Sequence, residues 1–283
     1  MLSRNVETFL GCDAVFDSAG TVLFGAPFDS TTSYRPGTRF GSAAIRHESY
    51  GLESYSPYQD LDLADVPVCD SGDLELCFGD TKTALQQIQA RAQNILEAGK
   101  RPFMLGGEHL VTLGAFRAVQ AQYPDVRLIH FDAHADLRHD YLGVQLSHAC
   151  VLRRCFELVG DGRIFQFGIR SGTREEFSWG RGHITTRLFN FQGLEETLKT
   201  LKGQPVYFTL DLDVLDPAVF PGTGTPEPGG VTFDALRQAA TLVCTQAQVV
   251  GCDVTELSPH YDQSGVSTVT ACKIIREMLL AFD

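Results

Sequence analysis

Between Leu128 and His148 the chain reads LIHFDAHADLRHDYLGVQLSH. An apolar run gives way there to Asp132, His134 and Asp136 at alternate positions, followed by Arg138, His139, Asp140 and His148. Three further apolar runs close in the same manner, with Glu108 and His109, with Asp211 and Asp213, and with Asp253 and Glu256. Carboxylates packed together must take up protons or share a cation, because each raises the pKa of its neighbours. Two imidazoles and four carboxylates from such strand ends make an oxygen-rich donor set without thiolate, which suits Mn²⁺ better than a structural zinc. Two such cations about 3.5–4 Å apart bridge one water and lower its pKa towards neutrality. The chemistry expected is hydrolysis at an electrophilic carbon. Each motif alone has a plainer reading: a D-x-D arises by chance, an H-x-D sits on surfaces, and His109 after Gly-Gly could merely cap a helix. Their recurrence at four strand ends is what argues for a site.

The elements that must position these groups follow from periodicity. Apolar runs at TVLFGAP, RPFMLGG, VRLIHFDA, RIFQFGI, PVYFTLD and QVVGCDVT alternate with helical patterns. Ala84, Leu85, Ile88, Ala92, Ile95 and Leu96 keep helical spacing, and Gly99 supplies a stop. Leu110 to Val119 before Pro124, Phe233 to Val243, and Val269 to Leu280 read the same way. Strands alternating with helices predict a three-layer α/β/α fold with a mostly parallel central sheet and the site at its C-terminal strand edge. Residues two apart on extended backbone share a face, so Asp132, His134 and Asp136 should converge, and Asp211 with Asp213 likewise. Residues Tyr34 to Asp80 have weak periodicity and are expected to form loops and short helices near the site mouth. No linker, repeat or charge block interrupts the chain, so residues 1–283 read as one domain.

Composition narrows the partners. A net charge of −12 argues against nucleic acid. No run approaches the roughly 18 apolar residues of a membrane span. MLSRNVETFL carries Glu7 and lacks a long apolar stretch, so a cytoplasmic protein without a signal peptide is expected. The eight cysteines form no C-x-x-C pair, which points to reduced thiols rather than a zinc ribbon or a disulfide framework.

With GGEH, FDAHAD and TLDLDVLDPAVFPGTGTPEPGG in this order, the chain resembles the ureohydrolases, the arginases and agmatinases. The likeness runs from GAPFDSTTSYRPGTRFG to CDVTELSPHYD. It implies a dinuclear manganese centre, with His109, Asp132, Asp136 and Asp211 on one ion and Asp132, His134, Asp211 and Asp213 on the other. It also implies that Asp136 aims the bridging hydroxide, His148 shuttles a proton, and Glu256 holds the substrate guanidinium. A carboxylate matches that planar cation's donor geometry, and a histidine titrating near neutrality suits protonation of the leaving amine. A homotrimer or homohexamer is implied as well.

Arginases carry an Asn- and Ser/Thr-rich loop after the position that Asp136 holds here. This chain has Leu137-Arg138-His139-Asp140-Tyr141 instead, as agmatinase-like members do. Agmatine, cleaved to putrescine and urea, is therefore the expected substrate, with Arg138 and His139 as further substrate contacts. An Arg138 guanidinium pointing inward would favour a guanidino acid such as guanidinobutyrate or guanidinopropionate. Three rivals remain. A mononuclear iron oxygenase would need a β jelly roll, a one-zinc amidohydrolase would not need all four aspartates, and a metal-dependent binding protein would release no urea.

Overall fold

Side chains alternate across the apolar runs, and each run proves to be a strand buried on both faces. In chain order the strands are β1 (Thr21–Gly25), β2 (Tyr55–Ser56), β3 (Leu61–Asp62), β4 (Val68–Asp73), β5 (Arg101–Leu105), β6 (Arg127–Phe131), β7 (Ile164–Ile169), β8 (Thr185–Leu188), β9 (Pro205–Asp211) and β10 (Gln248–Thr255). The helices are α1 (Gly41–Ser49), α2 (Thr81–Glu97), α3 (Thr112–Gln122), α4 (Val151–Val159), α5 (Arg174–His183), α6 (Leu194–Thr200), α7 (Phe233–Gln246) and α8 (Val266–Leu280). This computed structural model describes residues 6–77 and 79–282; residues 1–5, half of the segment read above for a leader, lie outside them.

Eight strands form one sheet in the order β4-β1-β5-β10-β9-β6-β7-β8. Every pairing in it is parallel. Strand parity sorts the core into two layers. Phe103, Leu105, Ile129, Phe131, Phe208 and Leu210 pack with α7 and α8 residues such as Leu236 and Ile275. Met104, Leu128 and Tyr207 face the other way, onto Ile88, Phe116 and Leu152 of α2, α3 and α4. The predicted three-layer arrangement is therefore observed, because parallel crossovers place helices on both faces.

The helices begin and end where their sequences dictate. Asp80 caps α2 by accepting from Lys82 N–H, and the chain leaves that helix through Gly99 at φ 72°. At α5, Thr173 and Glu176 form a reciprocal capping box, which satisfies two otherwise orphaned donors. Among the described residues no helix is long and apolar enough to cross a membrane.

Residues 34–80 depart from expectation. Gly37 does lie against Ser258 beyond β10, but Val68–Asp73 adds the edge strand β4. Its sequence, VCDSGD, hides the strand because it carries acids where an inner strand carries apolar groups. Asp70 and Asp73 are instead paired with the buried Arg46 of α1.

The chain runs outward from β1 to β4, returns to β5, passes to β6 and outward to β8, then fills the gap with β9 and β10. The four strands whose ends carry the acids and histidines, β5, β10, β9 and β6, are thus contiguous at the centre of the sheet. A switch of direction of this kind opens a crevice at the carboxyl ends of the strands.

Candidate metal centre

The convergence has a different backbone from the one expected. β6 stops at Phe131, and Asp136 lies beyond it with φ 52°. Asp213 belongs to a 3-10 turn, Leu212–Val214, rather than to extended chain. Shared strand faces therefore do not bring these residues together; tight turns immediately after the strands do. Left-handed backbone at a non-glycine residue costs of order 1–3 kcal/mol and persists where the surroundings fix it. Asp136 and Glu256, with φ 67°, are two such residues, and both border the same cavity. On the β5 side, a Cβ at Gly107 would stand 2.0 Å from the Phe28 carbonyl oxygen, so only glycine lets the chain turn there into Glu108 and His109.

All six predicted donors meet. His109 Nδ1 stands 3.0 Å from Asp132 Oδ2, 3.1 Å from Asp136 Oδ2 and 3.3 Å from Asp211 Oδ2. His134 Nδ1 stands 3.0 Å from Asp213 Oδ2 and 3.5 Å from Asp132 Oδ1. Asp132 thus turns one oxygen to each histidine. Donors around a common ion with bonds of roughly 2.1 Å lie roughly 3 Å apart when octahedral, so these separations fit two neighbouring cations that share Asp132. Left to itself the cluster retains protons. Burial and the adjacent Asp132 push Asp136 up to about 7, and burial with Asp213 and Asp132 pushes Asp211 well above the carboxylate range. Asp132 goes the other way: burial opposes its charge, but His130, His109 and His134 outweigh that and hold it well below the usual value.

His109 also shows which nitrogen would bind. Its Nε2 lies 3.0 Å from Thr209 Oγ1, whose own hydrogen is given to Asp253 Oδ1 at 2.6 Å. Nε2–H is accordingly the donor, and Nδ1 is aimed at the three carboxylates. Burial opposes a charge on the ring, but those carboxylates, left to themselves, outweigh it and hold its pKa well above the usual imidazole value. That buried Nδ1 has no hydrogen-bond partner, which is the orphaned atom expected of a ligand whose tautomer is set from behind. Asp253, grouped above with the strand-end acids, is therefore not at the centre; it also accepts from Tyr207 O–H at 2.5 Å.

A cavity of about 260 Å³ opens over the cluster and is bordered by His148, Glu256, Arg138, Tyr141, Thr225 and Ser33 among others. Glu256 accepts the His109 backbone N–H with Oε1 at 2.7 Å. His148 receives the opposite of the tuning expected: burial, with His134 and His109 nearby, lowers it to about 4. It is neutral at pH 7. Arg138 borders the cavity, but its Nε lies 3.7 Å from Glu176 Oε2 and its guanidinium sits 4.6 Å above the Tyr141 ring. His139 does not border it; the ring is exposed, 3.3 Å from Gln145 Nε2. Tyr141 falls in the segment Leu137 to Tyr141 expected to read the substrate, and it borders the cavity as expected. Sequence reading passed over Thr225, Thr209 and His130. Of these only His130 left a signal, since it shares the alternate spacing of Asp132 and His134.

The arginase family model matches residues 19–281. The chain belongs to the arginase family. It is a ureohydrolase on the agmatinase-like side of that family: the agmatinase of Bacillus subtilis (strain 168) is 46% identical over 279 residues, 98% of this chain and 96% of the relative. A crystal structure from Clostridium difficile, described as that of a candidate agmatinase, superposes with a TM-score of 0.93 at 49% identity, covering 95% of this chain and 98% of that one. The guanidinobutyrase of Pseudomonas aeruginosa is 34% identical, over 94% of this chain and 87% of the relative.

Proposed function

We propose that this protein hydrolyses agmatine to putrescine and urea with two Mn²⁺ per chain. The observation that carries the reading is the six-donor cluster around the orphaned His109 Nδ1, at the floor of a cavity that Glu256 also borders. His109, Asp132, Asp136 and Asp211 would hold one cation, and Asp132, His134, Asp211 and Asp213 the other. Cations bound there supply a water whose pKa is lowered towards neutrality.

The chain's own residues do the rest. Glu256 receives the guanidinium through charge-assisted hydrogen bonds and faces its carbon towards the cluster. Asp136 accepts a hydrogen bond from the attacking water and fixes its approach. As the carbon becomes tetrahedral, the leaving nitrogen needs a proton. A histidine held near 4 is not a standing acid at pH 7. His148 instead carries a proton, taking up the one released on the Asp136 side and passing it to the leaving amine.

Agmatine is supported by the agmatinase relatives and by the occupied charge of Arg138. With Glu176 beside it and Tyr141 beneath it, Arg138 offers little unpaired positive charge to a carboxylate tail. A guanidino acid is the second reading, because Arg138 still borders the cavity. Residues 1–283 are read as one ureohydrolase domain, supported by the single eight-stranded sheet that spans the chain.

The test is urea release from agmatine, arginine, guanidinobutyrate and guanidinopropionate by the Mn²⁺-loaded protein. Agmatine should give the highest kcat/KM. A higher value for guanidinobutyrate would transfer the assignment to the second reading.

A further inference from the structure

His130 is fully buried within β6, beside the centre and outside the six-donor set. Its Nε2 lies 2.8 Å from Asp132 Oδ2. His109, His130 and Asp132 also stand close enough together to share an ion. The ring is therefore either a seventh ligand or a donor to Asp132, and Gln166 decides between them.

Gln166, on the neighbouring strand β7, is fully buried too. Its Nε2 lies 2.7 Å from the Ala135 carbonyl oxygen and 3.0 Å from His130 Nδ1. A carbonyl oxygen only accepts, so that atom of Gln166 is the amide nitrogen. Its Oε1 accepts from Thr186 O–H at 3.1 Å, in agreement. With an N–H pointed at it, His130 Nδ1 must be the bare, accepting nitrogen. The neutral ring then carries its hydrogen on Nε2, which donates to Asp132. Asp132 Oδ1 receives the His134 backbone N–H at 2.5 Å, so both oxygens are held from outside while each keeps a lone pair for the cluster.

We propose that His130 is a positioning residue, locked by Gln166 in its Nε2–H tautomer, that fixes the carboxylate plane of the shared ligand Asp132 and is not itself a ligand. The proposal rests on the dinuclear reading of the centre. Outer hydrogen bonds of this kind are worth about 10–100-fold in metal affinity.

The tautomer is read directly from ¹H–¹⁵N correlations of the histidine rings in the metal-free wild-type protein, with His130→Gln identifying the resonance. The expected pattern is a protonated Nε2 and a bare Nδ1, unchanged by two equivalents of Zn²⁺. Mn²⁺ titration supplies the second readout. His130→Phe should weaken binding about 10–100-fold. His130→Gln, which keeps an N–H at that position, should recover most of it, and Gln166→Leu should fall between.

Loss of the Nε2 proton on Zn²⁺ binding would make His130 a ligand and overturn the proposal. So would an Nδ1–H tautomer, or wild-type Mn²⁺ affinity in His130→Phe. If His130→Phe does not fold, the wild-type spectrum and Gln166→Leu still decide. Failure of the wild-type protein to take up Mn²⁺ would instead remove the dinuclear reading, with the tautomer result left standing.

Discussion

Asp136 combines three properties that seldom coincide in one side chain: burial, left-handed backbone, and a carboxylate oxygen 3.1 Å from His109 Nδ1 at the cavity wall. Asparagine tolerates that backbone and has nearly the same shape, so Asp136→Asn changes charge and acceptor capacity with little strain. Urea release should fall by about 10²–10⁴-fold, the worth of a positioned acid–base group, with an unchanged circular dichroism spectrum. Normal turnover by that variant would show that the site is wrongly assigned. At this scale the donor types were legible because carboxylates and imidazoles at strand ends have few other uses. What supports them was not. Thr209 and Asp253 behind His109, and Gln166 behind His130, act through partners 31 to 100 residues away in sequence, as with Gln166 and Ala135 or His109 and Thr209. Nor did residue types reveal that burial keeps His148 neutral, since that depends on what surrounds the ring.

Turns and caps, more than strands, decide where the chemistry points. The strands were legible from their apolar runs, and their carboxyl ends were placed correctly. The expected alternation beyond them was wrong, because β6 ends at Phe131, Asp136 takes left-handed backbone, and Leu212–Val214 is a 3-10 turn. Strands β4 and β8 and helices α4, α5 and α6 stayed hidden, the two strands because they carry polar residues where inner strands are apolar, the helices because they span only seven to ten residues. Helix α5 did leave a trace, Thr173-Arg174-Glu175-Glu176 with capping-box spacing. Glu176 from that box also accepts Leu137 N–H at 2.9 Å, tying the helix start to the cavity wall. A second anchored helix gives a pH prediction. Asp262 is held down to about 2 by hydrogen bonds from Ser264 and Ser267, which outweigh its partial burial. It secures the first turn of α8 through Ser267 N–H at 2.7 Å. A carboxyl lowered on folding contributes stability above its unfolded value near 4, and loses it as pH falls through the folded value. Asp262→Asn should therefore lower the urea midpoint at pH 6, with a smaller difference from wild type at pH 3. An equal difference at both would show that the charge is not what stabilises the turn.

For the molecule as a whole, composition excluded more than it identified. A net charge of −12 argues against a nucleic-acid partner that needs a basic face, but it does not name a substrate. The cysteine reading is testable across the fold. All eight thiols are free, and only Cys69 and Cys77 are not buried. Burial pushes Cys150 and Cys272 up to about 12, so neither is a ready thiolate. A chromogenic disulfide reagent should titrate at most two thiols in the native protein and all eight in denaturant; more than two in the native state would mean the core opens readily. The cluster binds sheet, turns and cavity into one device, which in the proposed function two cations complete. Stepwise addition of Mn²⁺ to the metal-free protein, followed by urea release from agmatine, is the most direct test of that reading. Activity should rise to a plateau at two equivalents per chain. A plateau at one equivalent, or no urea with two bound, would contradict it.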